Sequence, residues 1–443
     1  VALLLLSGLA ASYLSWRIAH HSLIGYRWRL IILMAIWIVP WVAGAAAASR
    51  IAAKKVALAL ILVLAISARL VAATGSYPSI SNDIFRYGWD AHIQLSGIDP
   101  YRYPPNSPQI ERLRIAPYWP SPLGCYLLHT RAGCTIINRP SARTIYPAVA
   151  EAWFVVVTVL YPGNSDSRPW QLAGGFIDDM TIVLLMLFLR RSGRDARHAA
   201  WYALSPIPIV EYAGNGHVDG LALMLLVAAL LALQRQRSVL AGTLIGLATM
   251  VKLYPGIALV AALRQGRWRL VGAAVATIIL TELPHVVVVG THVLGYLPGY
   301  LKEEHYDSGN RFLLLGLLPL HGKAVTALAV AVVAAACVWV WWSSVPAATG
   351  LAVLLAVAVL VATPVQPWYA VALAGVGAAI DANWLVLPAM AGEVYYATVI
   401  LDDPHQVGYG RLSYGLALVA IAGFIVWRRR PRAVVSVPVG RYL

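Results

Sequence analysis

KKVALALILVLAISARLVAA, residues 54–73, decides the fold. Two lysines stand ahead of a run, residues 56–73, that is predominantly apolar. At about 1.5 Å per helical residue, roughly 20 such residues cross the hydrocarbon of a bilayer. Lipid offers a backbone amide no partner, so a run of this kind is a helix or part of a closed barrel. The run lacks the alternation of apolar and polar residues that a barrel strand requires. It reads as a transmembrane helix, and the lysines mark its cytoplasmic end.

Working outward, comparable runs recur at 1–16, 30–48, 170–190, 197–213, 217–234, 269–290, 324–342, 346–362, 384–400 and 410–427, with a shorter one at 368–380. The composition agrees. Of 443 residues, 60% are hydrophobic and only 12% charged, about half the charged share of a soluble domain. The expected fold is all-α, a polytopic bundle of about 12–14 membrane helices. The chain opens on VALLLLSGLA without a basic n-region or initiator Met, so the first run reads as a trimmed start and a membrane helix, not a signal peptide.

The formal net charge is +15. In a chain of this kind that is first a topology signal and second a hint of anionic headgroups; no nucleic-acid partner is expected. Lys54 and Lys55, Arg190 to Arg197, Arg235 with Arg237, Arg264 to Arg269 and Arg428 to Arg430 mark the cytoplasmic side. The threading closes if 238–250 and 254–263 form a broken or re-entrant pair around KLYP. It leaves 74–169, 214–217, 291–323, 363–367 and 401–409 outside. Arg17, Arg27 and Arg29 also fall outside, against the rule. Cys125 and Cys134 fall in the outer segment and could pair there; no zinc spacing is present.

Long structureless loops are rare, so 74–169 should hold short surface helices, with 148–160 interfacial or re-entrant. Residues 1–48 read as additional membrane helices, 49–400 as the core with outer loops 74–169 and 291–323, and 401–443 as a last helix and basic cytoplasmic tail.

Candidate chemistry sits in six places. In SNDIFRYGWD (81–90), Asp83 and Arg86 are three apart and share a helical face, with Asp90 two turns from Asp83. A carboxylate there can act as general base while the arginine grips a phosphate; a cap and salt bridge explain the pattern equally well. GIDPYRYPP (97–105) turns the chain and offers Tyr101, a flat surface for a sugar or an interfacial belt. GNGHVDG (214–220) sets His217 and Asp219 at the head of a span, where ionisable groups are costly and usually functional. VKLYPG (251–256) puts Lys252 at the tip of a broken pair, an anion site or a snorkelling lysine. The 296–312 loop gathers Glu303, Glu304, His305 and Arg311; its acids leave room for a divalent cation but match no closed metal site. TPVQPWY (363–369), carrying Trp368, breaks the bundle at the outer face.

The order of NDIFRYGWDAHIQLSGIDPYRYPP (82–105), IYPAVAEAWF, GNGHVDG, VKLYP, the YLP…NRF loop and TPVQPWY resembles the GT-C superfamily of membrane glycosyltransferases. The nearest similarity is to polyprenyl-phosphomannose-dependent mannosyltransferases of actinobacteria. That resemblance implies that the aspartate of the first large outer loop, here Asp83, is the catalytic base. Relatives often read WDG where this chain has Trp89-Asp90-Ala91.

The expected reaction is inverting transfer of a sugar, mannose foremost, from a polyprenyl-phosphate donor to a glycolipid or glycan hydroxyl at the plasma membrane, with the site outside. Arg86, His217, Lys252 and Arg311 are candidates for the donor phosphate. Asp90, Tyr101, Asp219, Glu303, Glu304, His305 and Trp368 are candidates for the acceptor or the sugar. The scheme requires no cofactor. An arabinofuranosyl or other hexosyl transferase would use the same architecture. A transporter or flippase of a lipid-linked sugar shares the broken helices and intramembrane charge.

Overall fold

The structure is a computed structural model and describes residues 1–20, 27–75, 81–127, 131, 133–162, 167–263, 268–306, 308–309, 311–400 and 403–429. The fold is all-α and polytopic, with no strand among the described residues. Seven helices are long and apolar enough to cross a membrane, Lys54–Ala72 among them; six more apolar helices are shorter. The KLYP break is present, with Ser238–Thr249 ending ahead of a tight turn at Tyr254–Ile257 and a short helix Ala258–Leu263. The basic tail from residue 430 lies outside the described residues.

One expected span differs. Residues 197–213 do not form a continuous helix: Ala200–Ala203 and Pro206–Pro208 are separate pieces, followed by a wide turn at Ile209–Gly214. Pro206 and Pro208 lack the amide that a continuing helix needs, which breaks the run. The outer segment contains the expected short helices, Asp83–Leu95, Pro108–Leu113, Pro122–Leu127 and Ala148–Leu160.

The first two helices, Ala2–Ala19 and Arg27–Ala48, share one core with Lys54–Ala72 through Leu4, Ala11, Trp37 and Ile61. Contact is close enough that a Cβ at Gly8 would lie 2.4 Å from Leu64 Cδ2. Small residues of this kind let membrane helices approach closely.

Deeper in the bundle, Arg69 Nε donates to Asp178 Oδ2 at 2.7 Å and its Nη1 to the Ala203 carbonyl at 2.9 Å. Tyr202 Oη donates to the other Asp178 oxygen, and Asp179 stands 3.5 Å from Arg69. Arg69 and Asp178 are 1% and 0% exposed, so the ion pair is desolvated on both sides.

At one end of the bundle the basic loops are stapled together. Arg197 donates to the Ile51 carbonyl at 2.5 Å, Arg194 to the Ala379 carbonyl at 2.5 Å, and His198 lies 2.8 Å from Asp381. At the other end Ala19 packs against Gly75, and Trp28 meets Tyr409 edge-on at 5.5 Å. Arg17 therefore lies at the end opposite the basic loops, as the charge threading required.

Candidate active site

The outer segment forms a second core on top of the bundle, around Tyr87, Trp89, Phe154 and Trp170. The helix Asp83–Leu95 is buried from Ile84 to Ala91, which fixes its rotation. Gly88 leaves room for Tyr118, whose Oη would lie 2.1 Å from a Cβ at this position and would have to shift. Asp83 occupies the first turn, where the helix dipole favours a carboxylate.

Asp83 lines a cavity of about 420 Å³, within the range of small-molecule sites. Asn138 Nδ2 donates to Asp83 Oδ1 at 2.5 Å, and Tyr146 Oη lies 3.4 Å from Oδ2. Asn138 follows a disulfide between Cys125 and Cys134. That loop is pinned by Thr135 Oγ1 and the Ile136 amide, which both donate to the Tyr118 carbonyl, at 2.6 and 3.1 Å.

Arg86 also reaches the cavity, but its Nε lies 2.9 and 2.8 Å from the two Asp90 oxygens and its Nη1 donates to the Ala142 carbonyl at 3.0 Å. Asp90 is 2% exposed and absent from the cavity wall. Behind it Glu151 accepts from Thr144 Oγ1 at 2.6 Å and Gln94 Nε2 at 2.8 Å. Burial, then the adjacent Asp90 carboxylate, pushes the Glu151 carboxyl well above the ordinary range. The Arg86–Asp90 pair, backed by Glu151 with its Thr144 and Gln94 donors, holds this wall together. Tyr101 is buried and donates to the Tyr146 carbonyl at 2.7 Å, which makes it a support of the Tyr146 loop.

The membrane half contributes Lys252. The amides of Val149 and Ala150 donate to the Met250 carbonyl at 2.9 and 3.2 Å, docking the KLYP break onto the N-terminus of Ala148–Leu160. Lys252 Nζ consequently lies 4.9 Å from the Tyr146 ring, 4.6 Å from the Tyr369 ring and 3.7 Å from Asp219 Oδ2. Asp219 is fully buried behind it. His217 is buried, stands 2.8 Å from Glu211 Oε2, and touches the cavity only through Trp368, on which it stacks at 3.9 Å.

The 296–311 segment forms the remaining wall. Glu303 accepts from Arg139 Nη2 at 2.7 Å and Nε at 3.0 Å, and also from Tyr296. The Arg139 bonds hold the Glu303 carboxyl below the usual carboxylate range. Glu304 pairs with Arg311, which also donates to the Pro364 carbonyl and lies over the Tyr306 ring at 4.7 Å. The two acids thus diverge onto separate arginines. His305 is exposed, has φ +55° and is absent from the cavity wall. Among the described residues no three His, Cys, Asp or Glu side chains gather as a metal-binding group.

The cavity therefore brings together Asp83, Arg86, Lys252, Glu303, Glu304, Arg311 and Trp368 from the sequence reading. Asp90, His217, Asp219, Tyr101 and His305 stand behind or outside its wall. Asn138, Arg139 and Arg143 line it and carry no motif by which sequence alone would have found them, while Tyr300 lines it from within the 296–312 loop. Tyr146 and Tyr369 lie inside the quoted runs IYPAVAEAWF and TPVQPWY but were not singled out.

Residues 144–364, just under half of the chain, match the model of Glycosyltransferase family 87. No curated protein and no solved structure matches the chain. The match implies a membrane glycosyltransferase. It covers Lys252 and Arg311, and it begins downstream of Asp83 and Asn138.

Proposed function

We propose that this chain transfers a hexose, mannose foremost, from a polyprenyl-phosphate carrier to a hydroxyl of a glycolipid or glycan, inverting the anomeric carbon. The observation that carries the reading is Asp83: a carboxylate on the wall of a sugar-sized cavity, held by neutral donors, in a chain whose residues 144–364 match a glycosyltransferase family.

Asp83 takes the proton of the acceptor hydroxyl as that oxygen bonds to the anomeric carbon. The bond from that carbon to the phosphate oxygen breaks on the opposite face, and the carrier phosphate leaves with the electron pair. Charge grows on the phosphate along this path, so cations already in place stabilise the transition state more than the ground state. Lys252 contributes to that field; Asp219 and two tyrosine rings hold its ammonium at the wall. The apolar bundle suits a carrier whose prenyl chain lies in lipid while its phosphate sits at the interface.

The site is assigned to the extracytoplasmic side of the plasma membrane. The Cys125–Cys134 disulfide in the segment beside Asp83 supports an oxidising compartment, and the basic loops gather at the opposite end.

The test is radiolabel transfer from polyprenyl-phosphomannose into membrane lipids, comparing purified wild type with Asp83→Asn. Loss of a hundredfold or more is expected for a general base. Undiminished transfer by a folded variant would refute the base assignment. Movement of carrier across vesicles without covalent transfer would refute the enzymatic reading.

A further inference from the structure

Five cationic side chains reach the cavity wall: Arg86, Arg139, Arg143, Lys252 and Arg311. Four are answered by a carboxylate. Arg86 holds Asp90, Arg139 holds Glu303, Arg311 holds Glu304, and Lys252 stands 3.7 Å from Asp219. Arg143 is the exception among the described residues. Its one hydrogen bond is a long one, from Nε to the Arg102 carbonyl at 3.3 Å, and it leaves both terminal nitrogens without a protein acceptor.

Asp83 is the converse. It accepts from Asn138 and Tyr146, both neutral, and no cation among the described residues lies within ion-pair distance of it. Among the described residues the wall thus holds one carboxylate without a counter-cation and one arginine without a carboxylate. Elsewhere in this cavity such groups are neutralised within the protein. Here the partners are left to the ligand.

A guanidinium is a planar fork that matches two oxygens of a phosphate, and it is always charged. Arg143 also belongs to the chain that carries Tyr146, whose hydroxyl faces Asp83 and whose ring faces Lys252. An anion on Arg143 is therefore held by the same loop that flanks the base.

We infer that Arg143 is the principal phosphate ligand of this cavity, binding two non-bridging oxygens of a phosphate carried by a lipid substrate. The inference rests on the sugar-transfer reading for its lipid. Two sources share this chemistry: the prenyl phosphate of the donor, and a phosphodiester in a glycolipid acceptor.

The experiment uses full-length protein in nanodiscs, as wild type, Arg143→Gln, Arg143→Lys and Lys252→Gln, each first shown to keep the wild-type Tm. Binding of geranylgeranyl phosphate, geranylgeraniol and phosphatidylinositol is measured directly. A charge-assisted bidentate contact is worth roughly tenfold to a hundredfold in affinity. Arg143→Gln should lose about that factor for geranylgeranyl phosphate and nothing for geranylgeraniol, with Arg143→Lys between. The same loss for phosphatidylinositol alone supports the phosphate ligand and assigns it to the acceptor. Wild-type affinity for both phosphates in Arg143→Gln overturns the inference, as does a loss confined to Lys252→Gln. Sugar transfer is followed separately. A protein that binds phosphate through Arg143 but transfers no sugar refutes the proposed function and leaves this ligand standing. Transfer with an unchanged donor KM and acceptor KM in Arg143→Gln refutes the ligand alone.

Discussion

Removing Asp178 should destabilise the bundle by a predictable amount. In Asp178→Ala the Arg69 guanidinium, 1% exposed, loses contacts of 2.6 and 2.7 Å, and Tyr202 loses its acceptor. Stranding one partner of a buried pair costs about 3–5 kcal/mol. Asp179, 3.5 Å from Arg69, remains as a partial substitute and argues for the lower end, about 3 kcal/mol. At about 2 °C per kcal/mol for a long chain, Tm should fall by roughly 6 °C. The double variant Arg69→Met/Asp178→Leu removes both charges and should recover most of that loss, since replacing a buried pair with apolar side chains is often neutral. The assay is thermal unfolding of purified protein in one detergent, with all three chains measured together. If Asp178→Ala matches the wild-type Tm, or the double variant falls further than the single one, the pair is not a desolvated unit and the reasoning fails.

Asn138→Ala should lower sugar transfer by about tenfold to a hundredfold, the value of a hydrogen bond to a charged group that orients the base, with geranylgeranyl phosphate affinity unchanged; steady-state transfer and direct binding check the two halves. Arg139 lowers the Glu303 pKa, so the contribution of that pair to stability is complete above the unfolded value near 4.5 and is lost as pH falls through the lower folded one. Hydrogen exchange of the 290–306 segment, corrected for its intrinsic pH dependence, should rise on acidification below that window in wild type and show no such step in Glu303→Gln. Because the pair is about 40% exposed, its effect should stay below about 1 kcal/mol. Replacing Cys125 and Cys134 with serine frees a loop of nine-residue separation. A disulfide of that span is worth about 2–3 kcal/mol by chain entropy, and the variant should show faster proteolysis between residues 120 and 140 together with reduced transfer.

The spans were legible because lipid leaves a backbone so few options, and a sequence rich in valine, leucine and alanine advertises the one it takes. The exception is instructive. Residues 197–213 are apolar enough to span, yet Pro206 and Pro208 interrupt the helix. Hydropathy weighs side chains and is blind to a missing amide. Within the site, Asp83 and Lys252 were legible because each stands at a chain break, Asp83 in the polar run Ser81-Asn82-Asp83 and Lys252 three residues ahead of Pro255. Arg86 shares a helical face with both Asp83 and Asp90, and spacing alone does not choose between them. Spacings of three and four share a helical face equally well, and the packing around Tyr87 and Trp89 turns Arg86 toward Asp90 at i+4. Asn138 and Arg143 lie in a loop without periodicity, delivered by a disulfide and by hydrogen bonds to Tyr118 and Arg102. Nothing local in the sequence encodes such a position.

The first two helices carry Arg17 and Arg29 at one end, and Arg50, Lys54 and Lys55 follow at the other. During synthesis this hairpin emerges before the helix that Gly8 grips through Leu64. In the folded bundle the seating of these two helices rests on their packing against Lys54–Ala72. A bulkier residue at Gly8 should therefore act through the seating of the first helix on Lys54–Ala72, far from the cavity and its chemistry.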